Sequence, residues 1–389
     1  MKRLLTCVMI VAIVCSVISP STFAKGNDHI ETLASDSSSA ILMERDTGSV
    51  LFDKNADEKL PPASMTKIMT MTLIMEALNK EKITLKDKVR TSEYAASMGG
   101  SQIFLEAGEV MTVEDMLKGI AMASGNDASV ALAEHIAGTN EAFVKMMNEK
   151  AKELGLKNTH FANATGLPAE NHYSTARDMA LMAKELLKYE QITNYTGKYE
   201  DYLRENTDDK FWLVNTNKLV KFYPGVDGLK TGYTHEAKYC LTATAEKNDM
   251  RVIAVVMGAP STKERNSQVS QMLDYAFANY KTNELYERHQ IIEEVPVQKG
   301  VTKTVHLATS EPISVLMKKG EEKSKITTKI NVKKDMNTPI KKGDKLGTLV
   351  VKKNGKTVIN SPLIASEKVP AASWWGLFKR TIGQFSHTP

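Results

Sequence analysis

Cysteine is scarce in this sequence, and its positions exclude a fold held together by internal disulfides. Only three cysteines occur in 389 residues, and two of them, Cys7 and Cys15, lie in an N-terminal apolar run that we expect to be removed. The remaining Cys240 then has no partner within the chain, so the folded protein must rely on its hydrophobic core. Cys240 stands beside Leu241 in an apolar run, which predicts a small, buried hydrophobic side chain.

The N-terminal segment has the pattern of a secretory signal peptide. Lys2 and Arg3 precede an apolar run from Leu4 to Ile18, and the following segment ends in Ala24, a small residue that suits cleavage after it. The run is short for a membrane span, so an uncleaved anchor is the less favoured alternative. We therefore predict a signal peptide over residues 1–24 and an exported protein.

Charge of one sign is not in large excess, and the motifs of several enzyme classes are absent. The formal net charge is +5 and the lysines are spread along the chain, which argues against nucleic-acid binding but leaves weak attraction to anionic surfaces open. No G-x-S-x-G, H-E-x-x-H, P-loop or G-x-G-x-x-G motif occurs. The eight histidines show no pair at metal-ligand spacing, so we expect no metal and no cofactor. His172 and His235 are expected at the surface or behind the site rather than in catalysis.

Apolar patterning divides the chain into a larger mixed domain and a smaller all-β domain. A hairpin is predicted over Ser39 to Lys54, and a helix over Met65 to Leu78, which is apolar on every side and therefore buried. Further predicted elements are strands over Val226 to Gly232, Tyr239 to Ala245 and Arg251 to Gly258, and a helix over Asn266 to Tyr280. After about residue 288, short apolar segments separated by turns predict an all-β domain. We place the larger domain at residues 25–285 and a β-sandwich-like domain at 288–366.

The first motif that can carry chemistry is Ser64-Met65-Thr66-Lys67. Ser64 and Lys67 are three residues apart, so on a helix both side chains point from one face. Pro61-Pro62 breaks the chain just upstream and places Ser64 at a helix N-terminus, where free N–H groups stabilise a developing oxyanion. A serine hydroxyl needs a base to remove its proton, and Lys67 can serve only if its pKa is lowered by burial and a nearby cation such as Lys230. Taken alone, the motif also fits a helix cap followed by a solvated lysine.

Two further motifs follow along the chain. Ser124-Gly125-Asn126 lies between helical segments, where Ser124 could relay a proton and the Asn126 amide could hold a substrate carbonyl. Lys230-Thr231-Gly232 ends a strand-like segment, where the lysine can face a cleft, the threonine can bind a carboxylate and the glycine can admit a ligand to the backbone. Each motif alone fits an ordinary turn.

Together, and in this order, the three motifs resemble those of a low-molecular-mass penicillin-binding protein, a serine-type D-alanyl-D-alanine carboxypeptidase. The resemblance covers almost the whole chain, and it includes the segment from Leu154 to Leu167, the C-terminal β domain and the C-terminal tail. It implies an α+β transpeptidase-like fold: a five-stranded antiparallel sheet flanked by helices, with a helical subdomain and a small C-terminal all-β domain. The catalytic cleft would lie between the sheet and the helical subdomain.

The resemblance also implies roles for individual residues. Ser64 would be the acyl-ester nucleophile, Lys67 its proton acceptor and Ser124 a proton relay, while Lys230 would bind substrate together with Asn126, Thr231 and Gly232. Arg265 stands where the family often has an arginine for the terminal carboxylate. The backbone N–H groups of Ser64 and Tyr233 would form the oxyanion hole, and the role of the Tyr233 side chain is left open. The implied substrates are peptidoglycan stem peptides ending in D-Ala-D-Ala, with β-lactams as covalent inhibitors.

Two alternatives from other classes remain. A β-lactamase would need a deacylating glutamate in a Glu-x-x-Leu-Asn loop, and the segment from Glu153 to Asn158 has the residues but not the spacing. A non-catalytic wall- or membrane-binding protein would use only the β domain and the tail, which the three intact motifs argue against.

The C-terminal tail, residues 368–389, is predicted to be an amphipathic helix on a membrane surface. Trp374, Phe378, Ile382 and Phe385 recur at helical spacing, with Trp375 and Leu377 at the border and Lys379, Arg380 and Gln384 off that face. The stretch is too short and too charged to span a bilayer. A helix packed back on the β domain is the alternative. We expect a peripheral anchor on the outer face of the cytoplasmic membrane.

Overall fold

The computed structural model of the chain describes residues 32–321, 325–333 and 336–375. The predicted signal peptide and most of the predicted tail helix lie outside these residues. The strands are β1 (Ser39–Glu44), β2 (Val50–Lys54), β3 (Lys88–Arg90), β4 (Val110–Thr112), β5 (Glu200–Leu203), β6 (Phe211–Val214), β7 (Val226–Thr234), β8 (Lys238–Lys247), β9 (Met250–Ala259), β10 (Tyr280–Tyr286), β11 (Ile291–Pro296), β12 (Thr304–Thr309), β13 (Ile313–Lys318), β14 (Ile326–Val332), β15 (Lys345–Lys353) and β16 (Lys356–Ala365). The α-helices are α1 (Lys67–Asn79), α2 (Glu93–Ala96), α3 (Val113–Lys118), α4 (Asn126–Ala137), α5 (Asn140–Glu153), α6 (Ala176–Leu186), α7 (Thr193–Thr196), α8 (Leu219–Phe222) and α9 (Thr262–Asn279).

A five-stranded antiparallel sheet with the order β2-β1-β9-β8-β7 forms the centre of the larger domain. The predicted hairpin is its β1–β2 pair, and the Glu44 carboxylate fixes the turn by accepting the N–H groups of Asp46 and Thr47. The predicted strand pair β8–β9 turns through Asn248 and Asp249, both with positive φ, as a tight two-residue hairpin requires. β7 is an edge strand of this sheet.

Each face of the sheet carries its own hydrophobic core. Along β9, Ile253, Val255 and Met257 face the core built around helix α1 and the helical subdomain. The alternate residues Val252, Ala254 and Val256 face the core built around helix α9. This alternation is the period of two that a strand buried on both faces imposes.

Helix α1 is buried on almost every side, as its apolar sequence predicts. A 3₁₀ turn, Ala63–Thr66, precedes it, so Ser64 lies in this turn rather than in the α-helix itself. Helix α9 begins four residues before the predicted start, because the Ser261 hydroxyl accepts the Glu264 N–H and caps it. Strand β7 continues two residues beyond Gly232.

The C-terminal part is an all-β domain, as predicted. A five-stranded sheet with the order β11-β12-β16-β15-β14 and a two-stranded sheet of β10 and β13 enclose its core. β10 begins at Tyr280, directly after α9, and pairs with β13, although it lies before the predicted boundary at residue 288. Val369 and Ala371, which the sequence places in the tail helix, instead bridge to Ile340 and Gly300 of this domain.

Ion pairs join the two domains. Lys188 contacts Glu311 at 3.2 Å, and Arg288 contacts Glu190 at the same distance. Within the described ranges, no helix combines the length and apolar character needed to cross a membrane.

Candidate active site

The 3₁₀ turn Ala63–Thr66 and the start of α1 present the first motif in one compact unit. Ser64 is half-buried, whereas Lys67, the first residue of α1, is completely buried. The Lys67 Nζ lies 3.0 Å from the Ser64 Oγ. The spacing of three residues thus produces the contact that the sequence predicts.

The surroundings of Lys67 fit a neutral amine. Its Nζ also lies 2.6 Å from the Asn126 Oδ1 and 2.7 Å from the Thr165 carbonyl oxygen. A neutral amine has two N–H donors and one lone pair, so it can donate to these two acceptors and accept the hydroxyl proton of Ser64. Burial lowers the pKa of Lys67 well below its ordinary value, the charge on Lys230 lowers it further, and the Asp127 carboxylate opposes the shift.

The second motif follows a π-helical turn, Gly119–Ala123, and enters helix α4. Ser124 has a left-handed backbone, with φ of 66°, which is strained for a residue with a Cβ. Its Oγ is buried and makes no hydrogen bond with any other described residue. Ser124 thus carries a buried hydroxyl without a partner among the described residues, two residues before Asn126, whose side chain contacts Lys67.

Asn126 and Asp127 tie this motif to the neighbouring loop, residues 99–105. The Asn126 Nδ2 donates to the Gly99 carbonyl at 2.7 Å, which leaves its second N–H for a substrate carbonyl. The Asp127 carboxylate accepts the N–H groups of Ile103 and Leu105, both at 3.0 Å. Asp127 thus anchors this loop to the first turn of α4.

The third motif lies within β7. Lys230 is buried, and its Nζ donates to the Thr231 carbonyl at 3.1 Å. Burial, reinforced by the charge of Arg265, lowers the pKa of Lys230 to about 7. The charge of Lys230, which the sequence suggests as the cation near Lys67, therefore depends on pH near neutrality. The Thr231 Oγ1 donates to the Thr216 Oγ1 at 2.8 Å.

Gly232 lies in close contact with the turn that carries Ser64. A Cβ at this position would lie 2.9 Å from the Pro62 carbonyl oxygen and 3.2 Å from the Ala63 Cβ. The glycine therefore lets the turn that carries Ser64 pack directly against β7. Tyr233, the next residue of β7, has an exposed side chain whose ring is tilted against that of Tyr239, with the ring centroids 4.6 Å apart.

Arg265 adds a second buried cation near the motifs, beside Lys230. Its guanidinium donates to the Asn266 side-chain oxygen, at 3.1 Å from Nε and 2.9 Å from Nη2. Burial lowers the pKa of Arg265 to about 10. Lys230 acts on Lys67 and Arg265 acts on Lys230, so positive charge is concentrated next to the neutral Lys67, and the site favours an anionic ligand.

Residues 162–172 form a loop, called the 162–172 loop, that completes the site. No sequence motif indicates the contacts that this loop makes with the site. Its Thr165 carbonyl accepts from Lys67, and its Ala164 carbonyl accepts from the Thr70 hydroxyl at 2.7 Å. Backbone carbonyls are independent of side-chain identity, so sequence reasoning missed both contacts. The loop and the turn before Ser64 also line a cavity of about 420 Å³.

Other sequence candidates lie outside the site. Glu153 pairs with Lys150, which also binds Glu76 near the end of α1, roughly 13 Å along the helix from Lys67. Glu153 is therefore not placed to activate a water at Ser64. His235 is exposed, and His172 is buried behind the 3₁₀ turn. No cluster of potential metal ligands occurs among the described residues. Cys240 is buried and unpaired, as predicted.

Two family models match the chain, one for each domain. The family described as D-alanyl-D-alanine carboxypeptidase matches residues 26–261. The C-terminal domain of penicillin-binding protein 5 matches residues 280–371.

Individual proteins give the same result over most of the chain. It is 62% identical over 387 residues to D-alanyl-D-alanine carboxypeptidase DacF of Bacillus subtilis, covering 99% of each protein. It is 38% identical to D-alanyl-D-alanine carboxypeptidase DacC of Escherichia coli, covering 79% of this chain and 78% of that one. The structure of penicillin binding protein 5 from Haemophilus influenzae superposes with a TM-score of 0.67 and 32% identity, covering 86% of this chain and 98% of that one.

Proposed function

Because this chain belongs to the D-alanyl-D-alanine carboxypeptidase family, we propose that its three motifs form one acylating site with Ser64 as the nucleophile. The protein is a D-alanyl-D-alanine carboxypeptidase, which removes the terminal D-alanine of peptidoglycan stem peptides. The observation that carries the assignment of the site is the completely buried Lys67 Nζ, 3.0 Å from the Ser64 Oγ.

Acylation starts with a proton transfer from Ser64 to Lys67. The neutral Lys67 Nζ takes the hydroxyl proton while the Oγ forms a bond to the carbonyl carbon of the penultimate D-alanine. The backbone N–H groups of Ser64 and Tyr233 stabilise the oxyanion that develops. The C–N bond then breaks, and the leaving amine receives the proton from Lys67 through the Ser124 hydroxyl, which is free to accept and donate.

Deacylation uses the same groups, with a water molecule in place of the Ser64 hydroxyl as the nucleophile. A water molecule gives a proton to Lys67 and bonds to the ester carbonyl carbon, and the bond to the Ser64 Oγ breaks. Ser64 regains its proton, and the shortened peptide leaves as a carboxylate. The electropositive site accounts for recognition of the terminal carboxylate. We assign this carboxylate to Lys230 and Thr231, with Arg265 contributing charge from behind, and the substrate carbonyl to Asn126.

The same chemistry explains binding of β-lactams. When a β-lactam acylates Ser64, its leaving nitrogen stays tethered to the acyl group and does not diffuse away. A dedicated deacylating glutamate would be needed for rapid turnover, and Glu153 is far from the acyl bond. The β-lactamase alternative is therefore not favoured, and a long-lived adduct is expected.

The enzyme acts outside the cytoplasm, and we assign it to the outer face of the cytoplasmic membrane through its C-terminal tail. Trp374 and Trp375 are exposed, and their rings are stacked with centroids 6.1 Å apart. They follow closely after Ala371, which bridges to Gly300 of the β domain. Adjacent tryptophans suit the interface between acyl chains and headgroups. The remaining residues of the tail support this assignment through their sequence alone.

Release of D-alanine by the purified mature protein tests this function. The substrate is a synthetic stem pentapeptide ending in D-Ala-D-Ala, and the control is the same peptide ending in D-Ala-L-Ala. Release from the first peptide alone, together with a penicillin adduct that persists for hours, is the expected result. Rapid loss of the adduct would indicate a β-lactamase, and no adduct with no release would indicate a binding protein.

A further inference from the structure

The 162–172 loop presses directly on the turn that carries Ser64. Gly166, with φ of 86°, lies so close to this turn that a Cβ on it would be 1.8 Å from the Ala63 carbonyl oxygen. The Asn163 Oδ1 holds the loop in shape by accepting the N–H groups of Thr165 and Gly166. The loop is thus a preformed support for the turn, and its own geometry affects the position of Ser64.

His172, the last residue of the loop, links the loop to the turn that carries Ser64. It is buried, and its Nδ1 accepts the N–H of Ala162 at 3.1 Å. In a neutral imidazole, an accepting Nδ1 leaves the proton on Nε2. The Nε2 lies 2.8 Å from the Thr66 Oγ1, so His172 donates this hydrogen bond. Burial lowers the pKa of His172 to about 4, which agrees with a neutral ring.

The partner of this bond lies inside the catalytic motif. Thr66 is the residue between Met65 and Lys67, and it is completely buried. It occupies the N-cap position of α1, where a threonine hydroxyl ordinarily accepts a helix N–H. Here it makes no such cap bond. The hydroxyl is instead bonded to His172, so the bond fixes the turn from outside the helix.

We propose that His172 is a positioning residue that holds Ser64 and Lys67 in reacting geometry through its bond to the Thr66 hydroxyl. This inference rests on the proposed roles of Ser64 and Lys67. The hydrogen bonds of His172 go to Ala162 and Thr66, not to the side chains of Ser64 or Lys67. His172 takes no part in proton transfer. Its effect is to keep the turn and the 162–172 loop in one fixed register, so that the Lys67 Nζ meets the Ser64 Oγ and the Thr165 carbonyl together.

Three substitutions of His172 separate its two hydrogen bonds. His172→Phe keeps the ring and its edge-to-face packing on Phe161 but removes both bonds. His172→Asn can accept from Ala162 but is too short to reach Thr66. His172→Gln carries an amide N–H that reaches Thr66. His160→Phe is the matched control, because His160 is an exposed neighbouring histidine that bonds to the Asn171 carbonyl and not to Thr66.

The measurement is the second-order rate constant for acylation by a fluorescent penicillin, taken with the thermal midpoint of each variant. His172→Phe and His172→Asn should lose acylation rate on the order of 10²-fold while still reaching one adduct per molecule. His172→Gln should recover most of the loss, and His160→Phe should match the wild type. Thr66→Val should show the same loss, and combining it with His172→Phe should add little.

The outcomes distinguish this proposal from the proposed function. If wild-type protein were acylated somewhere other than Ser64, both would fail. If Ser64 were acylated and His172→Phe, folded, reacted as fast as the wild type, only the positioning role would fail. Recovery by His172→Asn rather than His172→Gln would also overturn it, because it would show that His172 only supports the loop through Ala162.

Discussion

At the scale of the residue, Lys67 and Lys230 are two buried lysines whose surroundings give them different tasks. Lys67 has two acceptors and one hydroxyl around its Nζ, an arrangement that suits a neutral base. Lys230 lies on the edge strand β7 and donates to the Thr231 carbonyl, which leaves donors for an anionic ligand. The order of the motifs predicted both residues, because each belongs to a short pattern. It did not predict the lowered pKa of Lys230, since this depends on the burial of the side chain and on Arg265 being brought near by the fold.

Arginine substitutions separate the two tasks. Lys67→Arg should abolish acylation, because a guanidinium cannot act as a base. Lys230→Arg should raise KM more than it lowers kcat, because the charge is kept and only its geometry changes. The measurement is steady-state release of D-alanine together with adduct formation. Equal tolerance of arginine at both positions would contradict the division of tasks.

The pH dependence of kcat/KM should report Lys230 on its alkaline side. Lys230 is charged below its pKa of about 7 and neutral above it, so binding of a carboxylate should weaken as the pH rises through this value. Lys67 must be neutral, so its protonation sets the acidic limb. In Lys230→Arg the charge persists at all accessible pH values, and the alkaline limb should move upward or vanish. An unchanged alkaline limb in this variant would assign it to another group.

At the scale of the element, periodic segments were predicted well and irregular ones were not. Helix α1 and strands β7, β8 and β9 follow from apolar patterns that are independent of tertiary contacts. The start of α1 was misplaced, because the turn Ala63–Thr66 is held by its packing against β7 and the 162–172 loop. The 162–172 loop acts through backbone carbonyls, for which the sequence has no signal. The segment from Leu154 to Leu167 resembles the family, but this resemblance did not predict which contacts the loop makes.

Gly166→Ala tests the role of the 162–172 loop. The added Cβ would clash with the Ala63 carbonyl, so either the loop or the turn must move. Both acylation and thermal stability should fall. Gly155→Ala is the matched control, because Gly155 also has positive φ but a Cβ there would meet nothing within 4 Å. The control should lose roughly 1–2 kcal/mol of stability from backbone strain and keep its acylation rate. Full acylation in Gly166→Ala would show that the loop does not position Ser64.

At the scale of the whole molecule, the chain consists of a larger domain, a β domain and a C-terminal tail, to which we assign different functions. The larger domain contains all the residues assigned to the reaction, and the ion pairs Lys188–Glu311 and Arg288–Glu190 connect it to the β domain. The sequence predicted this division, because short apolar segments separated by turns begin near residue 288. It placed the start of the tail too early, because Val369 is buried in the β domain.

Removal of residues 373–389 tests the membrane anchor. The shortened mature protein should leave the membrane fraction and still release D-alanine at the wild-type rate. It should also fail to sediment with vesicles of anionic phospholipid, which the full mature protein should bind. Removal of residues 368–389 is the comparison, and it should also lower the stability of the β domain, because it takes away Val369. Persistence of the shorter protein in the membrane fraction would place the anchor elsewhere.

The most direct test of the central claim is the mass of the protein after incubation with penicillin, for the wild type and for Ser64→Ala. The wild type should gain the mass of one penicillin, and peptide mapping should place it on Ser64. Ser64→Ala should keep its thermal midpoint, gain no mass, and lose D-alanine release by on the order of 10⁶-fold. An adduct of the same stoichiometry on folded Ser64→Ala protein would contradict the account.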